Sequence, residues 1–136
     1  MTASFQYKTT SGGAATDVPV EAWPRDDGTV FVEYPKATEL DGLGAPCAAI
    51  GKPRIVFRSS ELTGAGIDFW QDLFSTSTAE SVTIWLTAFN PRSKAWGWWT
   101  GTLLRPKFSD PSPAASLDDT IFRDVEIIVN NCTVVV

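Results

Sequence analysis

The chain has 136 residues, 43% of them hydrophobic and 20% charged, with a formal net charge of −5 and no histidine. That is enough chain for a sizeable core, too apolar for a disordered segment, and too acidic for a protein whose main partner is nucleic acid. The lack of histidine excludes Ser-His-Asp and Cys-His catalysis and every zinc site built on imidazole.

Residues 1–17 begin with the apolar–polar alternation Phe5-Gln6-Tyr7-Lys8 and continue as a small-residue stretch to Thr16. They read as an N-terminal arm, an edge strand followed by a loop, either mobile or docked on a neighbour. Val18 to Trp23 reads as a short strand interrupted by Pro19, and Pro24-Arg25-Asp26-Asp27-Gly28 as a turn carrying the Asp-Gly hairpin signal. Thr29 to Tyr34 is a strand whose alternation sets Val30, Val32 and Tyr34 opposite Phe31 and Glu33.

The chain then changes character. Residues 35–52 are rich in Gly and Ala and carry Leu40, Leu43 and Ile50 without a clear period. A loop of that length inside a compact domain is usually functional or ordered against something. Leu40, Leu43 and Ile50 are therefore candidate subunit contacts, the alternative being a loop folded back over its own core. Arg54 to Arg58 is the next strand. Thr63 is an expected N-cap for a helix over residues 64–75, in which Ile67, Trp70 and Phe74 share one face. Gly64 and Gly66 weaken its first turn by roughly 1 kcal/mol each relative to Ala, so packing must hold it.

Ser81 to Phe108 carries four of the six tryptophans and reads as a long antiparallel hairpin around Asn90-Pro91-Arg92-Ser93-Lys94. In the first arm Val82, Ile84, Leu86 and Ala88 form an apolar face, against Thr83, Trp85, Thr87 and Phe89. In the second arm Trp96, Trp98, Thr100 and Thr102 alternate with Gly97, Trp99, Gly101 and Leu103. The glycines mark bulges or close backbone approach, and Pro106 should end regular pairing. Ser109 to Asp119 is a proline-bearing loop. Thr120 to Asn130 is a last strand with Val125, Ile127 and Val129 inward, and the apolar residues from Cys132 to Val136 should be paired or buried.

Little here points to a reaction. Glycine-rich dinucleotide and phosphate-loop signatures are absent. The acidic pairs Asp26–Asp27, Asp68–Asp72 and Asp118–Asp119 have no spacing that favours catalysis or calcium over solvated loops. Cys47 and Cys132 read as free thiols, with pairing left open, and Asn131-Cys132-Thr133 as strand-end residues rather than a glycosylation site. Neither a cofactor nor a metal site is expected. No apolar run reaches the roughly 20 residues that span a bilayer, and the first residues lack the apolar core of a signal peptide. Trp96 and Trp98 share a face about 6.8 Å apart along the strand, as in a sugar-stacking strip. Trp99 points the other way. Core packing or subunit contact through Trp96, Trp98 and Trp99 outweighs the sugar reading, which would add Trp85.

The expected architecture is mainly β: one domain over residues 1–136, an antiparallel β-sandwich or barrel with one flanking helix. This order of elements resembles the tail-tube type of tailed bacteriophages. Trp99-Thr100-Gly101-Thr102-Leu103-Leu104-Arg105-Pro106-Lys107-Phe108 and the closing Phe122-Arg123-Asp124-Val125-Glu126-Ile127-Ile128-Val129 add to that resemblance. It covers residues 18–130 at the level of pattern. It implies a self-assembling virion protein of the tail, made in the host bacterial cytoplasm, that forms homo-oligomeric rings or tubes and touches other virion proteins. Its long loop would reach the next ring, and its acidic balance would let DNA pass without sticking. A carbohydrate-binding module is the alternative, and a head decoration or connector protein a further one.

Overall fold

A computed structural model describes residues 5–23, 30–34, 52–109, 116 and 119–135. Strand outweighs helix, 53% to 12%, and five strands close into a barrel with one α-helix. The strands are β1 (Gln6–Lys8), β2 (Thr16–Asp17), β3 (Phe31–Glu33), β4 (Arg54–Thr63), β5 (Ser81–Asn90), β6 (Ala95–Leu104) and β7 (Ile121–Val134), with helix α1 (Gly64–Asp72) between β4 and β5. The sheet order is β2-β1-β5-β3-β4-β7-β6, and a β5–β6 pairing closes the ring. Of the two expected layouts, the barrel is the one observed.

The β5–β6 hairpin is the most regular pairing. Its register runs unbroken from Ser81 opposite Leu104 to Asn90 opposite Ala95. Asn90 builds the turn: its Oδ1 accepts the Arg92 N–H at 3.0 Å, and its carbonyl accepts the Lys94 N–H at 2.7 Å. Ile84, Leu86 and Ala88 are buried from one arm, and Trp99 and Leu103 from the other. The period-two reading therefore holds for both arms.

β7 is the spine. It pairs antiparallel with β4 from Thr63–Ile121 to Ile55–Val129. Its other edge pairs with β6, where the register shifts between Thr100 and Thr102. Asn131 sits there at φ 53°, the left-handed conformation that Asn tolerates better than most residues. One extra β7 residue therefore faces Gly101. A Cβ on Gly101 would stand 2.7 Å from the Asn130 carbonyl and 2.9 Å from Cys132 Sγ, so only glycine fits without a shift. Pro106 does follow the end of β6, yet the chain rejoins β7 at once: Lys107 and Glu126 exchange backbone hydrogen bonds at 3.0 and 2.8 Å. Of the closing residues, Cys132 is buried, while Thr133 and Val134 pair with β6 and Val134 is 52% exposed.

Several local expectations change. Residues 20–22 form a 3-10 helix, not a strand. Pro19 supplies its N-cap at φ −56°, and Ala22 is buried. The segment expected as an arm contributes β1 and β2 to the sheet. β1 is not an edge, because β5 flanks it on the side away from β2. Phe5 is buried in the core. β4 runs on through Thr63, directly into α1, whose first turn Thr63 caps by accepting the Gly66 N–H at 3.4 Å. The helix stops at Asp72 instead of residue 75. Ser75-Thr76-Ser77-Thr78 are poor helix formers that favour local turns. Residues 24–28, the loop residues Leu40, Leu43 and Ile50, and Cys47 lie outside the described residues.

The expected face of α1 is the buried one: Ile67 and Trp70 are 1% and 0% exposed, and Phe74 follows at 7%. Trp70 meets Phe5, Phe57 and Phe69 with ring centroids 6.1, 5.4 and 5.0 Å apart. Its indole N–H donates to the Ala22 carbonyl at 3.0 Å. Gly66 lets this happen: a Cβ there would run into the Glu21 carbonyl, so the 3-10 helix lies directly against α1. Trp70→Ala is expected to cost about 3–5 kcal/mol in denaturant unfolding, from lost burial and an orphaned carbonyl. A cost below about 1 kcal/mol would mean that this face is not a core face.

Cys132 is a buried free thiol. Burial raises its pKa from the ordinary 9.0 to about 11, partly opposed by a backbone hydrogen bond from Ile55. The folded state therefore keeps a proton that the unfolded chain releases above its own pKa. That contribution is complete below pH 9 and is lost as pH rises through 11. Stability should fall between pH 9 and 11, and the slope should shrink in Cys132→Ala. An unchanged slope in that variant would exclude Cys132 as its source.

Candidate functional site

The two faces of the β5–β6 hairpin have different fates. The inner face enters the barrel core. The outer face carries Trp85, Phe89, Trp96 and Trp98, of which Trp96 is 40% exposed and the other three are half-buried. Trp99, one residue from Trp98, is 5% exposed on the inner face. Strand alternation thus separates the tryptophans as expected: Trp98 shares a surface with Trp96, and Trp99 belongs to the core.

Barrel closure extends this surface. β3 pairs parallel with β5 at Phe31 and Phe89, and the Phe89 N–H donates to the Val30 carbonyl at 2.8 Å. Phe89 faces Trp96 across the hairpin. Phe31, Phe89 and Trp96 therefore form one row across three adjacent strands, with Phe31 38% exposed. Phe89 and Trp96 have centroids 6.1 Å apart and planes tilted by 57°. In the next row Thr87 faces Trp98, whose carbonyl accepts the Val135 N–H at 3.0 Å.

Cations border the rows. Lys8 Nζ stands 4.6 Å from the Trp98 ring centroid, and Arg92 lies 3.7 Å from that of Tyr34. The Tyr34 hydroxyl and Asn90 Oδ1 are 3.2 Å apart, which ties β3 to the hairpin turn. Each cation–ring contact is worth about 0.5–1 kcal/mol at such exposed sites. Nearby, Arg54 and Glu33 pair at 3.0 Å and cancel each other's charge.

Within the rows Phe89 and Trp96 are tilted to one another, and Lys8 lies over Trp98. Phe31, Phe89, Lys8 and Arg92 were not among the expected site residues. Alternation did place Phe31 and Phe89 on the polar-mixed faces of their strands, which was the available signal. Their adjacency comes from the β3–β5 pairing, which no local pattern encodes.

Other chemistry is sparse among the described residues. No group of three or more His, Cys, Asp or Glu side chains is placed to hold a metal ion. Asp68 and Asp72 are exposed on α1, while Asp26, Asp27 and Asp118 lie outside the described residues. A groove of about 460 Å³ on the β4–β7 face is lined by Arg58, Ser59, Ser60, Asp124, Val125 and Glu126. Arg58 and Glu126 pair at 2.7 Å there. No helix among the described residues is long and apolar enough to cross a membrane.

Truncation separates the two faces. Trp99→Ala should cost about 3–5 kcal/mol in denaturant unfolding, whereas Trp96→Ala in dilute protein should cost under about 1 kcal/mol. Equal costs would contradict the division into core and surface.

Comparison with known proteins yields no match: no family model fits the chain, and no curated protein or solved structure is significantly similar to it.

Proposed function

We propose that this chain is a non-enzymatic, self-assembling structural component of a bacteriophage virion, a tail protein of the tail-tube kind, and that the Phe31–Phe89–Trp96 row is one of its subunit contacts. The observation that carries the reading is that row, an apolar surface carried across three hydrogen-bonded strands. Aromatic side chains in such positions are enriched at protein interfaces, where each buries a large area at little conformational cost. The barrel with one helix agrees with the layout that the tail-tube resemblance implies. The loop residues Leu40, Leu43 and Ile50 are proposed as a second contact.

One observation favours the carbohydrate reading: Trp96 and Trp98 do share the outer face. The tilt of Phe89 on Trp96 and the lysine over Trp98 weigh against it. A head decoration or connector protein would use the same surface.

Sedimentation velocity and negative-stain microscopy of purified protein test these readings. Rings or tubes are expected at micromolar concentration. Trp96→Asp, and separately Leu40, Leu43 and Ile50 all replaced by Ser, should abolish them while leaving thermal unfolding within a few degrees. Tubes longer than one ring distinguish a tail protein from a decoration or connector protein. A monomer that is retained on a polysaccharide gel, and released by Trp96→Ala, would replace assembly with sugar binding.

A further inference from the structure

The ends of the β5–β6 hairpin carry opposite charge. At the tip, Arg92 and Lys94 are exposed beside Trp96, and Lys94 is held out at φ 57°. At the base lie Asp72, the last residue of α1, and Glu80, the residue before β5; both are exposed. The segment that follows the helix, residues 74–79, is anchored to the hairpin base by Arg105, which follows β6. Its guanidinium lies 4.2 Å from the Phe74 ring centroid and donates to the carbonyls of Ala79 and Thr76 at 2.6 and 2.8 Å. Ten residues of strand separate base from tip, which is about 30 Å at the usual rise per residue. Glu80 and the tip therefore cannot meet within one molecule.

The acidic end is only partly balanced: Arg105 stands just beyond the helix, against the three carboxylates of Asp68, Asp72 and Glu80. A helix C-terminus carries a partial negative charge, which a carboxylate opposes and a cation relieves. α1 ends on Asp72, has no basic residue in its last turn, and shows Asp68 one turn earlier on the same exposed side. Neither of the ion pairs described above uses these carboxylates. The basic end, in contrast, joins its two cations to an exposed aromatic side chain, the combination that anchors a contact and sets its register.

We infer that the occupant of the aromatic hairpin tip is the acidic helix end of a second copy of this chain, so that Arg92, Lys94 and Trp96 of one molecule dock against Asp68, Asp72 and Glu80 of the next. The contact is heterologous, head to tail. Such a contact repeats: it closes into a ring if the rotation per step divides a full turn, and otherwise continues as a filament. This inference rests on the self-assembly reading and specifies which surfaces meet.

Charge exchange tests it. One variant carries Arg92→Glu and Lys94→Glu; the other carries Asp68→Lys and Asp72→Lys. All four positions are exposed, and thermal unfolding checks each fold. By sedimentation velocity at low salt, each variant alone should associate roughly 100-fold or more weakly than wild type, because like charges face each other. Mixed one to one, the variants should regain association, since each reversed tip then meets a reversed helix end. The quadruple variant should recover it alone. Wild-type assembly should weaken as salt rises from 0.1 to 1 M, where screening shortens from about 10 to 3 Å. If wild type assembles, but single-end reversals leave association unchanged or the mixture fails to recover it, this contact is wrong while self-assembly stands. If wild type itself stays monomeric, both fail.

Discussion

The indole of Trp70 is the contact on which the rest of the structure depends. It is the largest fully buried side chain among the described residues, and it has no solvent to hydrogen-bond. Its ring joins Phe5, from the residue before β1, to Phe57 of β4, and its N–H reaches the carbonyl of Ala22 in the 3-10 helix. One side chain thereby holds together three segments that are far apart in sequence. A phenyl ring would fill part of the space and leave the Ala22 carbonyl unpaired. The geometry also requires Gly66, since the 3-10 helix approaches α1 closer than any Cβ permits. Gly66, which weakens the isolated helix, is what allows it to pack.

Around that plug, the barrel is closed by unequal seams. The β4–β7 and β5–β6 pairings are long, while β3 joins β5 at a single bridged pair. The bulge of β7 at Asn131, opposite Gly101, re-aims the strand so that Cys132 turns inward and the last residues can follow β6. Asp124, also at φ 53°, marks a second irregularity, where Lys107 to Ser109 run beside β7. Residues that tolerate the left-handed conformation thus stand where a long strand must bend to stay in a small barrel.

The surface chemistry follows from this closure. A short β3 brings Phe31 beside Phe89, and the hairpin register brings Phe89 beside Trp96. A row of aromatic side chains results across β3, β5 and β6. The same hairpin, by its length, carries Arg92 and Lys94 far from Glu80.

Local patterns were legible in the sequence because they arise from neighbouring residues. Period-two alternation identified both hairpin arms, the inward residues of β7, and the opposite fates of Trp98 and Trp99. The spacing of Ile67, Trp70 and Phe74 identified the buried face of α1, and Thr63 its cap. Proline at position 19 misled, because Pro suits the start of a 3-10 helix as well as it interrupts a strand. Tertiary structure alone decided the choice of a barrel over a sandwich, the place of β1 between β2 and β5, and the row that joins Phe31 to Trp96. These depend on which strands pair across long separations. Strand pairing uses backbone groups that every residue shares, so side-chain order carries little record of it.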